Sequence, residues 1–299
     1  MEPLVHYCAQ VIRRWNSPQN AHLHPCKLRF FVEIPPCLAC ARDMNHVIPI
    51  FMVCISLFST FLVASETVMD LLLFSNAQPA NGGYLSHAAT EMINVLGDRR
   101  RTFFIPFASV TLSWDNYFDR VRDALKEANL DIVSAHHTVD PLGEIARAEC
   151  IIVGGGNTWQ LLKECRDRAF LDAVARRVRE GALYMAWSAG ANMACPTIAT
   201  TNDMPIVDPC GLTAFHLLDF QINPHYTNAV PEGHQGETRN ERIAEFLIAH
   251  PQTRVFGLPE GDWLRISSTA TYLCGDKNAV IFVADAAPRE VAPGLLPPF

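Results

Sequence analysis

Four short stretches of this 299-residue chain carry the residue types that acyl chemistry needs. The first is Ala186-Trp187-Ser188-Ala189-Gly190-Ala191. The apolar run 182–186 before it reads as a buried strand, and the small residues after it can open a helix. A serine on such a strand-to-helix turn exposes its hydroxyl at a helix N-terminus, where amide dipoles favour developing negative charge. The usual elbow is G-x-S-x-G, and Ala186 fills the first glycine position; the competing reading is a serine that merely caps the helix. The second stretch, Ile222-Asn223-Pro224-His225, follows an apolar run, and Pro224 holds the loop extended. His225 there suits a general base for Ser188, or a structural histidine.

The third, Gly257-Leu258-Pro259-Glu260-Gly261, puts a carboxylate at the end of a buried strand, where it can orient an imidazole or serve as a simple turn acid. The fourth, Val153-Gly154-Gly155-Gly156-Asn157-Thr158, lets backbone approach a ligand closely. It lacks the Lys-Ser/Thr of a phosphate-binding loop and does not fit the dinucleotide fingerprint. Oxyanion donation or a plain tight turn remain, and proximity to a nucleophile favours the first. Ser188, His225, Glu260 is not the serine, acid, histidine order of an α/β-hydrolase. Asp203, in Thr-Thr-Asn-Asp-Met-Pro, would restore that order, so either acid can serve.

The elements that must position these groups alternate. Residues 70–74, 102–106, 131–134, 150–153, 183–186 and 255–258 are short apolar runs of buried-strand type, separated by amphipathic stretches 84–96, 114–128 and 170–180. That rhythm predicts a mostly parallel sheet flanked by helices on both faces, with ligands at the carboxyl ends of strands. The loops after Val153, Ala186 and Leu258 should converge. The tail 263–283 alternates like an antiparallel ribbon turning at Gly275-Asp276.

A formal charge of −7 argues against nucleic-acid or anionic-membrane binding, which needs a cationic footprint. Small-molecule or peptide chemistry fits better. Ten cysteines in a chain this long do not make a disulfide scaffold; Cys150, Cys165, Cys195, Cys210 and Cys274, scattered singly through the later part, read as buried reduced thiols of a cytoplasmic domain.

Composition changes near Met69. Residues 1–68 read as a poorly ordered N-terminal extension and 69–299 as the catalytic domain. Residues 47–64 form an uncharged, largely apolar run close to the roughly 20 residues that cross a bilayer. Three readings compete: a signal anchor, a signal peptide starting at Met44 and cleaved near Val63-Ala64-Ser65, or an upstream extension of a product beginning at Met69. The last is favoured, and only the first gives membrane contact. Cys37-x-x-Cys40, with Cys26, His22 and His24, lacks a matching second pair, and a zinc site is not expected there.

From residue 69 to about 283 the blocks LLLFSN, FIPFA, IIVGGGNTWQLLKE, WSAGANMACPTIATTNDMPIVDP, QINPHYTNAVPEGHQGETRNERI and GLPEGDW resemble those of peptidase E, the α-aspartyl dipeptidase family of serine peptidases. The resemblance implies a flavodoxin-like α/β sandwich related to class I glutamine amidotransferases, and hydrolysis of dipeptides with an N-terminal aspartate without metal or cofactor. It assigns Ser188 as nucleophile and His225 as base, and places both Glu260 and Asp203 on charge-relay positions, Glu260 ranked first. It matches Gly156, Asn157 and the Ala189 amide to the oxyanion region. Arg239, in Gly-Glu-Thr-Arg, becomes the candidate for the substrate's aspartyl carboxylate, against a plain helix-start arginine. A cyanophycinase-like hydrolase of another aspartyl linkage, or a catalytically silent binding protein, are the alternatives. Oligomeric state is left open.

Overall fold

In the eight-stranded sheet, five consecutive strands read β3-β2-β4-β5-β1, with β3 at the edge, and run parallel, each needing a crossover to reach the next. They are β1 (Asp70–Phe74), β2 (Arg101–Ile105), β3 (Asp131–Ser134), β4 (Cys150–Val153) and β5 (Leu183–Trp187). The computed structural model describes residues 69–233 and 235–297. The sequence readings of residues 1–68, including the apolar run 47–64 and the Cys37-x-x-Cys40 pair, lie outside the described residues.

The helices are α1 (Ala89–Leu96), α2 (Trp114–Ala124), α3 (Pro141–Arg147), α4 (Thr158–Asp167), α5 (Phe170–Arg179), α6 (Ala189–Met193) and α7 (Arg239–Ala249). Alternate residues of each strand feed two separate cores. Leu72, Phe74, Phe104, Ile152 and Met185 pack with Met92 of α1 and Tyr117 and Val121 of α2. Leu71, Leu73, Phe103, Ile105, Ile151 and Val153 pack on the other face with α3, α4, α5 and α6. Each buried leucine or phenylalanine contributes roughly 1.5–3 kcal/mol, so the two faces of the sheet lock its register. Short polar residues start several helices: Ser113 caps α2, Asp140 with Pro141 at the first turn starts α3, and Thr238 and Glu241 form a reciprocal capping box on α7.

Beyond β1 the sheet turns antiparallel through β8 (Trp263–Ser267), β9 (Thr271–Cys274) and β12 (Gly294–Leu296). A second, four-stranded sheet holds β6 (Gln221–Asn223), β7 (Val255–Gly257), β10 (Ala279–Phe282) and β11 (Arg289–Val291) in the order β11-β10-β7-β6. This corrects the ribbon expected over 263–283. The hairpin turns at 268–270, joining β8 to β9, and Gly275-Asp276 instead lies where the chain leaves one sheet for the other. The buried carboxylate of Asp262 accepts the N–H groups of Asp276 and Lys277 and fixes that crossing. Residues 84–88 form turns rather than the first turn of α1.

Among the described residues no helix is long and apolar enough to cross a membrane. Cys150, Cys165 and Cys195 are buried free thiols, pushed up by desolvation, Cys195 to about 12. Cys210 is exposed and Cys274 half-buried, so the expectation of buried thiols does not extend to them.

Candidate active site

Strand register brings the four chemical stretches together. Phe74 of β1 pairs with Trp187 of β5, and Val153 of β4 pairs with Ala186, so the strands end almost level. Ser75, Ser188 and Gly154 therefore emerge side by side at the carboxyl edge. In the second sheet Asn223 of β6 pairs in parallel with Gly257 of β7, and the loops bearing His225 and Glu260 leave as neighbours.

Ser188 takes φ 52° and ψ −116°, a conformation that costs a non-glycine residue free energy and persists only where its surroundings enforce it. Its N–H is held by the Phe74 carbonyl at 3.0 Å. The hydroxyl makes no capping bond to α6, which removes the capping-serine alternative. Instead Oγ lies 2.8 Å from His225 Nε2, and His225 Nδ1 lies 2.7 Å from Glu260 Oε1. Hydroxyl, imidazole and carboxylate form one continuous relay.

Asp203 is not part of it. Its Oδ2 accepts from the Thr158 N–H (2.8 Å), the Thr158 hydroxyl (2.6 Å) and the Thr201 hydroxyl (3.1 Å). Those bonds make Asp203 an anchor for the start of α4, the helix that follows the glycine loop.

The glycine loop approaches the nucleophile as closely as backbone can. A Cβ on Gly155 would sit 3.0 Å from the Ser188 Cβ, and one on Gly156, at φ 140°, would lie 2.2 Å from the Ala108 carbonyl oxygen. Among the described residues no carbonyl takes the Gly156 N–H, and Ala189, first in α6, has no carbonyl four positions back within its helix. Both amides are free to meet an oxyanion. Asn157 is not: its N–H goes to the Ala108 carbonyl at 2.8 Å, its Oδ1 caps α4 through the Gln160 N–H, and its Nδ2 donates to the Met204 carbonyl. Asn157 thus lines the cleft with its N–H and its side-chain amide engaged in the loop. Ala186 fits the elbow because Gly190 faces it, where a side chain would already crowd the Ala186 methyl and the Val153 carbonyl.

The relay opens into a cleft of about 520 Å³ lined also by Tyr84, Tyr117, Arg120 and Trp187. Arg239 does not line it. It is half-buried at the start of α7 and lines a separate hollow with Arg242, Asn202 and Asn223. The cation in the cleft is Arg120, exposed on α2, its guanidinium 4.9 Å from the Tyr84 ring centre. No motif marks it; the exposed face of an amphipathic helix looks ordinary in sequence.

Two more supports carried no sequence signal. The buried Tyr117 hydroxyl accepts from Trp187 Nε1 (2.9 Å) and the Tyr84 hydroxyl (3.2 Å) and donates to the Gly155 carbonyl (3.0 Å). It ties the glycine loop to the residue preceding the nucleophile, and burial pushes its phenol up to about 12, so it stays a donor. The buried Ser75 hydroxyl accepts the His225 N–H at 2.8 Å and donates to the Leu258 carbonyl at 2.9 Å. It joins the loops of the base and the acid to the end of β1.

Residues 71–273 match the model of peptidase family S51. The peptidase E proteins of Salmonella newport and Salmonella typhimurium are each 52% identical over 216 residues, spanning 72% of this chain and 94% of theirs. A Listeria monocytogenes protein solved as a candidate peptidase E superposes with a TM-score of 0.53 at 21% identity, over 70% of this chain and all of its own. A peptidase from an acI-B1 actinobacterium superposes with 0.56 at 14% identity, over 77% and 96%, and both share the fold. The chain belongs to peptidase family S51 and is a serine-type peptidase.

Proposed function

We propose that the chain is a dipeptidase that hydrolyses Asp-Xaa dipeptides through an acyl-enzyme formed on Ser188. The observation that carries this reading is the unbroken Ser188–His225–Glu260 relay beside two free amides. Ser188 Oγ attacks the carbonyl that follows the aspartate while His225 Nε2 takes its proton. The Gly156 and Ala189 amides receive the developing oxyanion, and Glu260 steadies the imidazolium. His225 then gives the proton to the leaving amine, and the peptide C–N bond breaks. A water molecule, deprotonated by the same imidazole, attacks the ester and releases aspartate and Ser188.

A cleft of this volume is of the size that takes small ligands, which suits a dipeptide partner. Arg120 supplies the positive charge for the aspartyl carboxylate, its forked guanidinium matching two carboxylate oxygens. The test is a panel of Asp-Leu, Asn-Leu, Glu-Leu, Leu-Leu and β-Asp-Arg. Asp-Leu should be cleaved and Asn-Leu spared; preferred cleavage of β-Asp-Arg would move the chain to another aspartyl linkage. Arg120→Met should raise KM for Asp-Leu about tenfold, worth ~1.4 kcal/mol, while Arg239→Met should not. The reverse outcome would return specificity to Arg239. A cytoplasmic location is supported by the free thiols among the described residues, and cell fractionation with a membrane-bound peptidase would refute it.

A further inference from the structure

At the edge of the eight-stranded sheet, outside the relay, two adjacent imidazoles converge on one carboxylate. β3 ends at Ser134, and a turn closed by the His137 N–H on the Ser134 carbonyl (2.9 Å) directs both rings toward the start of α2. His136 Nε2 lies 3.0 Å and His137 Nε2 2.6 Å from the same oxygen, Asp115 Oδ1. The three ligand atoms all lie within 4.8 Å of one another. The rings pack on one another and on the start of α2: their centres are 3.9 Å apart, Trp114 packs edge-on to His136 at 5.9 Å, and Phe118 packs edge-on to His137 at 5.3 Å. Behind them the buried Ser134 hydroxyl sits 2.8 Å from His136 Nδ1.

We propose that Asp115, His136 and His137 form a binding site for one divalent transition-metal ion of the zinc class. Two imidazole nitrogens and a carboxylate oxygen suit a borderline ion such as Zn²⁺ or Co²⁺, whereas Mg²⁺ and Ca²⁺ take oxygen ligands. An ion bound tetrahedrally at about 2.0–2.1 Å separates its ligand atoms by about 3.3 Å, so His137 and Asp115 need to part by less than about 1 Å. Their side chains are 44% and 72% exposed and free to make that movement. With Nε2 on the metal, His136 Nδ1–H donates to Ser134, the outer bond that fixes tautomer and ring orientation at metal-ligating histidines. The remaining positions fall to water. The ion would tie the turn after β3 to the first turn of α2, the helix that carries Tyr117 and Arg120 into the cleft, and takes no part in the hydrolysis.

The experiment is calorimetric titration of the EDTA-treated full chain with ZnCl₂, paired with visible absorption of the Co²⁺ form. His137→Gln and Asp115→Asn should each bind one equivalent fewer than the unaltered chain and lose its Co²⁺ bands. Ser134→Ala should keep the stoichiometry with affinity reduced about 10- to 100-fold, and His225→Ala should match the unaltered chain. Both ligand variants alter exposed side chains, and melting in metal-free buffer should be unchanged in them. Stoichiometry and affinity unaltered in His137→Gln and Asp115→Asn, or an equivalent lost in His225→Ala instead, would overturn the assignment.

Discussion

The two halves of the relay are built to different standards. Ser188 and the amides beside it stand on the end of the eight-stranded sheet, where β5 is wholly buried and the Tyr117 hydroxyl locks loop to strand. His225 and Glu260 stand on three-residue strands of the small sheet, with side chains 38% and 59% exposed, and reach the main sheet through the Ser75 hydroxyl. Attack on a carbonyl needs nucleophile and oxyanion donors held to a fraction of an ångström. A proton acceptor can pivot about one hydrogen bond and still find its partner. Precision is concentrated where the polypeptide is most buried, and the exposed half tolerates water.

The sharpest way to break this contrast is at the nucleophile. Ser188→Ala should lower kcat for Asp-Leu by about 10⁴- to 10⁶-fold, since relay members act as a unit; steady-state assays retaining a tenth of the activity would refute the assignment. Glu260→Gln should cost less, about 10²- to 10³-fold in kcat, because water around an exposed carboxylate already screens part of its field. Its melting temperature should not change. Asp203→Ala should differ in kind. It strips three bonds from Thr158 and Thr201 and leaves the buried Thr158 N–H unpaired, at about 1–3 kcal/mol, so activity should fall together with Tm. A loss of kcat at constant Tm in Asp203→Ala would put that acid back in the chemistry.

The same contrast explains what sequence could reveal. Strands 70–74 and 150–153 are legible to the residue because continuous apolar runs between polar breaks admit one reading when both faces are covered, and 131–134 is legible from its β-branched pair although this edge strand is only partly buried. Of the small sheet only β7, inside the apolar run 255–258, is legible: β6 and β11 are three residues each, too short to show a period of two. Ser188, His225 and Glu260 sit in motifs whose chemistry is visible in their types. Arg120 and Tyr117 act through a helix face that only the fold aims at the cleft, and His136 and His137 find Asp115 only once β3 lies beside α2. Arg239 is the opposite case, a motif-borne arginine that the fold places in a neighbouring hollow.

Tyr117 sharpens the comparison on its rigid side. Tyr117→Phe orphans the buried Trp187 N–H and releases the Gly155 carbonyl, so kcat should fall about tenfold, ~1.4 kcal/mol, with KM nearly unchanged. Burial raises this phenol from 10.0 to about 12, so the folded form holds its proton more tightly than the unfolded one. The resulting stability is complete below pH 10 and is lost as pH rises through 12. An alkaline melting curve should show that decline in the unaltered chain and lack this component in Tyr117→Phe. A variant with unchanged kcat would mean that strand ends alone hold the glycine loop.

Ser75 probes the looser side and should give the smallest effect. Its hydroxyl is the bridge through which the base and acid loops meet β1, and Ser75→Ala leaves the His225 N–H and the Leu258 carbonyl without that partner. Water reaches a half-exposed loop more easily than a sealed core, so the deficit should stay near ~1 kcal/mol, the net worth of an ordinary hydrogen bond. That corresponds to about fivefold in kcat. Because His225 also stands at φ 54°, a strained conformation that this bond helps to hold, the loss should appear as slower acylation rather than weaker substrate binding, which single-turnover kinetics separates. If Ser75→Ala instead cost as much as Glu260→Gln, His225 would need the same tight seating as Ser188, and the two halves of the relay would not differ in how firmly they are built.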